Sequence, residues 1–121
     1  MIILLAVFTT LLTIFVIPII IYGLFSKFWG LKEPEKKVEF FISVLIQKVG
    51  TSFGFVLLYY LGRESFNENW LIYSMVWILM FAITEIGQAY MPNYSKKEAV
   101  AGIISEAIYF PLAGLITSAI L

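Results

Sequence analysis

The chain has 121 residues, no formal net charge, and is 61% hydrophobic but only 13% charged, about half the charged share of a soluble domain. A water-soluble protein of this size could not bury so much apolar surface, so the composition excludes a soluble domain and predicts an all-α integral membrane protein. The zero charge balance excludes a basic surface for nucleic acid. The absence of cysteine, histidine and aspartate removes disulfides, thiolate sites and the commonest zinc and haem ligand, so no cofactor is implied and ionisable chemistry inside the membrane falls to Glu, Lys and Tyr.

The first apolar run, Ile2 to Phe25, lacks the basic start and small-residue cleavage site of a signal peptide. Its length suits a full membrane span. Pro18 inside it removes a backbone donor and is expected to kink the helix. Thr9, Thr10 and Thr13 can bond back to the helix or across to a neighbour. Ser26 to Lys37 is the first connection, with Phe28 and Trp29 as interface residues. Glu33-Pro34-Glu35 resembles a helix start, with Pro in the first turn and acids near the positive helix end.

The second run, Val38 to Leu61, is the least uniformly apolar. Phe41, Val44, Lys48, Thr51, Ser52, Phe55 and Tyr59 share one side at helical spacing, and Ser43, Gln47, Gly50 and Gly54 another. Gly50 and Gly54 form a small-x-x-x-small pair that admits a close helix neighbour, so this helix is expected either at the centre of the bundle or against a second subunit. In the second connection, Gly62 to Asn69, Ser65 and Glu68 have capping-box spacing.

The third run, Trp70 to Met91, has a face through Ser74, Trp77, Phe81, Glu85 and Gln88 that is aromatic, then polar. Its aromatic stripe reads as packing before it reads as a ligand platform. Pro92-Asn93-Tyr94 breaks the helix, and Ser95-Lys96-Lys97-Glu98 is a capping box that starts the fourth helix at Lys96, running to Ile120. There, Ala99, Gly102, Glu106, Tyr109, Ala113 and Thr117 share one stripe, with Gly102 a third candidate for close helix packing beside Gly50 and Gly54. Pro111 is expected to kink this helix beyond Glu106. The prediction is one transmembrane domain, a four-helix up–down bundle with short loops and spans near 2–25, 38–61, 70–91 and 96–120.

Lysines set the orientation. The first and third connections and their flanks hold Lys27, Lys32, Lys36, Lys37, Lys96 and Lys97, against Arg63 alone in the second. By the positive-inside rule both termini are non-cytoplasmic. The aromatic belts agree, with Phe28, Trp29, Tyr90 and Tyr94 at the inner face and Tyr59, Tyr60, Trp70 and Tyr73 at the outer. The sequon Asn93-Tyr94-Ser95 would then be unused. Composition, without cysteine and rich in Ile, Glu and Lys, is compatible with a prokaryotic inner membrane.

Three charges remain at membrane depth. Counting about 1.5 Å per residue from the inner ends puts Glu85 roughly 9 Å deep, Glu106 roughly 13–16 Å and Lys48 roughly 15 Å within a slab of about 30 Å. Facing lipid alone, three such groups would cost on the order of 10 kcal/mol. Gln88, one turn from Glu85, and Tyr109, one turn past Glu106, complete a candidate proton- or ion-binding layer. Two acids and one base balance in three ways: one carboxyl holds a proton, a cation joins the site, or water reaches it.

Those outcomes describe a proton- or cation-linked transporter or channel, working as a homo-oligomer because four helices rarely enclose a whole path. The alternative is a non-catalytic subunit of a larger membrane assembly, with Lys48 in a fixed ion pair that sets helix register. A lipid-modifying enzyme using Glu85 or Glu106 as general base ranks third, since no paired Asp, no Ser/His arrangement and no metal cluster accompanies them.

Overall fold

In lipid every backbone polar group has to find its partner within the chain, and an apolar run does so by closing into a helix. The computed structural model describes residues 1–30, 37–92 and 96–121, without the side chains of Trp29 and Lys37. It contains α1 (Ile2–Trp29), α2 (Lys37–Gly62), α3 (Trp70–Ala89) and α4 (Lys96–Ile120). All four are long and apolar enough to cross a membrane, and no strand occurs among the described residues. The chain is an all-helical integral membrane protein. The acidic helix start at Glu33 to Glu35, the sequon and the Ser95 cap lie outside the described residues.

Helix ends differ from expectation where polar residues had been read as helix stops. α1 continues past Phe25 through Ser26 and Lys27 to Trp29, because helix geometry does not end where lipid ends. It stops at Gly30, whose left-handed backbone (φ 66°) donates its N–H to Ser26 O at 3.1 Å. α3 ends at Ala89, two residues earlier than predicted. It begins on Asn69 rather than on a Ser65 box. The Asn69 side-chain oxygen accepts from the N–H groups of Leu71 and Ile72, both at 3.2 Å, while Ser65 lies back in the connecting turn. Pro18 and Pro111 sit inside α1 and α4, and neither interrupts its helix.

Side-chain contacts give the topology. Thr10 meets Thr117 (3.2 Å) and Tyr22 donates to Glu98 O (3.4 Å), so α1 and α4 are antiparallel. Glu85 lies at Gly102 and Ser74 at Gly114, so α3 and α4 are antiparallel too. The close backbone packing joins α4 to α1, α4 to α3, and α1 to α2. Half of α4's most apolar stretch is buried, against 17% for α2. This corrects the expectation that α2 could be central: α4 is the central helix. Ala99, Ala101, Gly102, Ser105, Ala113 and Gly114 are all buried on it, and their small size lets two neighbours approach.

The space between α2 and α3 is filled by large rings instead. Phe55 packs on Tyr73 (4.9 Å between centroids), Trp77 (5.5 Å) and Phe110 (5.7 Å), and Phe110 on Phe81 (5.0 Å). Tyr59 and Tyr73 belong to this core and not to a lipid-facing belt. Each hydroxyl donates to a backbone carbonyl, Tyr59 to Glu68 and Tyr73 to Phe55. Tyr60 is exposed at the same end, beneath Arg63.

Candidate functional site: a carboxyl pair between two helices

α4 supplies the floor of the site. Gly102, Glu106 and Tyr109 follow at helical spacing on its buried side. A Cβ at Gly102 would collide with the Glu85 carboxyl, with both oxygens and the carboxyl carbon inside contact distance. The carboxyl of Glu85 therefore occupies the place where any other residue would put its side chain. Gly102 is a seat for an acid as well as a packing glycine.

Seated there, the Glu85 carboxyl lies within side-chain hydrogen-bonding reach of the Glu106 carboxyl. A bond between two carboxyls needs a donor, so one forms here only when the pair holds a proton. Glu106 is 4% exposed and Glu85 half-buried. Among the described residues, one oxygen of each is buried without a hydrogen-bond partner, as is the hydroxyl of Ser105, the residue before Glu106 on α4. Buried polar atoms left in this state are rare, and the two carboxyl oxygens lie together at the α3–α4 seam.

Lys48 reaches the same layer from α2. Its ammonium bonds the Tyr109 hydroxyl at 3.4 Å and lies over that ring, 4.7 Å from the centroid. It acts on both glutamates electrostatically. Its hydrogen bond goes to Tyr109 and not to a carboxylate, so the acids pair with each other and the base stands beside them. Ser52 is buried one turn along and bonds the Lys48 carbonyl at 2.8 Å.

Four of the five predicted layer residues, Lys48, Glu85, Glu106 and Tyr109, come together. Gln88 does not: it is exposed near the end of α3, while its neighbour Ala89 lines the α3–α4 seam. Of the three packing glycines, Gly102 is in the seam. Gly54 faces the Trp77 ring (3.8 Å from an added Cβ) and Gly50 is exposed with nothing near it, so that pair admits no close helix within the chain.

Beyond Tyr109 the site is closed by rings. Tyr109 packs on Phe110 (4.5 Å), which leads into Phe55, Trp77 and Phe81. The stripe on α3 is thus packing, as its spacing implied. Among the described residues no group of three or more metal-ligating side chains occurs. Comparison with protein families, curated proteins and solved structures finds no match.

Proposed function

We propose that this chain is a small proton-linked membrane transporter or channel, and that the Glu85–Glu106 pair is the group that takes up and releases the proton. The observation that carries the reading is two carboxyls brought together between two membrane-spanning helices, each with a buried oxygen, and an ammonium held close by on a phenol. Intramembrane ionisable groups in such a setting mark proton and ion pathways.

With one proton in the pair and Lys48 charged, the layer is neutral. When the proton leaves, two adjacent carboxylates remain. The Lys48 ammonium, on a flexible four-carbon stem, can leave Tyr109 and move onto them, or an external cation can take its place. The aromatic cluster blocks passage toward the end that carries the α2–α3 connection. Exchange therefore runs toward the end that carries the α3–α4 connection, which the lysine count puts at the cytoplasm. A complete path then needs either movement of the rings or a second subunit.

The test is flux. The protein is reconstituted in vesicles containing a pH-sensitive dye, and wild type is compared with Glu85→Gln and Glu106→Gln. Wild type is expected to move protons or exchange them for a cation, and both variants to lose that activity. Absence of flux and of ligand binding in the wild type would overturn the reading. A second reading, an accessory subunit of a larger assembly, is favoured by the outward face of α2. There Gln47, which donates to Ser43 (3.3 Å), and Gly50 are exposed midway along a membrane-spanning helix. Recovery of a stoichiometric partner in mild detergent, without flux, would select it.

A further inference from the structure

The α3–α4 seam carries a second feature on its outer flank. Ala89 near the end of α3 and Ala99 near the start of α4 leave a notch walled by Ile86 and Ile103, a groove of about 270 Å³ completed by Tyr90 and Lys96. Tyr90 and Lys96 are exposed, and both belong to the helix ends, where a span meets the headgroup layer. The acid of α4's first turn, Glu98, is half-buried and does not line the groove. The groove thus has an apolar body and a cationic, hydrogen-bonding mouth.

We infer that this groove seats an acyl chain of an anionic phospholipid, with the headgroup phosphate at Lys96 and the Tyr90 hydroxyl. The charge complementarity is specific. An ammonium at the headgroup layer attracts an anionic lipid more strongly than a zwitterionic one, whose phosphate is offset by its own cation. The apolar wall between two alanines accepts a flexible hydrocarbon chain, which also removes the notch from contact with water. The site is separate from the carboxyl pair and does not depend on the transport reading. It does share its seam, since Ile86 follows Glu85 and Ile103 follows Gly102 in the chain. A lipid bound there rests against the same two helices that seat the Glu85 carboxyl.

The test uses the full chain, purified in mild detergent and equilibrated with phosphatidylglycerol, phosphatidylcholine or free oleate, with retained lipid counted by native mass spectrometry. Wild type is expected to keep phosphatidylglycerol in preference to the other two. Lys96→Ala should lower that retention about fivefold, the effect of one lysine near an anionic surface. Lys97→Ala, a change outside the groove, should lower it much less. Ala89→Leu fills the notch and should reduce retention as well. Because Lys96 is exposed, its loss tests the charge without disturbing the packing. Equal retention of the two phospholipids, equal losses in K96A and K97A, unchanged retention in A89L, or oleate kept in place of the phospholipid would overturn the inference.

Discussion

At Gly102 a missing methyl group makes the site. Any side chain there would displace the Glu85 carboxyl from α4 and separate it from Glu106. Gly102→Ala is therefore expected to destabilise the protein by about 1–3 kcal/mol, the usual penalty for overpacking. Glu85→Ala in the same background should recover part of that loss, since it removes the atoms struck. Unfolding in detergent of the two single variants and the double variant measures this, and additive losses would count against the seat. Gly50 gives the contrast. Its added Cβ meets nothing, so Gly50→Ala should stay within about 0.5 kcal/mol in the monomer. The two glycines read alike in the sequence, as small residues in apolar helices. The difference is a neighbour on another helix, which spacing along one helix does not contain.

Among the elements, α4 is central because its buried side is made of small residues, whereas α2 stands further off behind large ones. Its neighbours α1 and α3 lie close enough for Thr10 to meet Thr117 and for Ser74 to face Gly114. The Gly50/Gly54 motif drew attention to α2, but that motif permits close packing without requiring it. α4's stripe was legible: Ala99, Gly102, Glu106, Tyr109, Ala113 and Thr117 are all buried. That α4 has further buried positions, Ala101, Ser105, Phe110 and Gly114, follows from its having neighbours on several sides. The start of α3 at Trp70 was legible, but its cap was not. Ser65 and Glu68 have the right spacing, but a cap has to sit immediately before the first helical residue, and that place belongs to Asn69. Asn69→Ala should cost about 1 kcal/mol through the two N–H groups left without a partner, while Ser65→Ala should change little. Thermal unfolding of the two variants side by side tells them apart.

For the whole molecule the governing fact is charge balance across three helices. Lys48 on α2, Glu85 on α3, and Glu106 and Tyr109 on α4 meet in one layer, held together by hydrogen bonds and through-space charge and capped by packed rings. Removing the ammonium leaves the acids uncompensated in a medium that penalises charge. Lys48→Met is expected to destabilise the protein more than Lys48→Met combined with Glu106→Gln, with a coupling of about 0.5–3 kcal/mol. Strictly additive losses in that cycle would mean that the groups do not interact. Composition and periodicity were sufficient to place the four spans and much of the buried faces of α2, α3 and α4. These are properties of one helix in a slab of fixed thickness: 3.6 residues per turn fix the angle, and 1.5 Å per residue fixes the depth. Only the tertiary structure decided that the acids face each other, that Lys48 rests on Tyr109, that Gln88 stands outside and that α4 is the axis. Those outcomes depend on how far each helix is rotated and how closely it approaches its neighbours, and that is set by the fit of side chains across the seams.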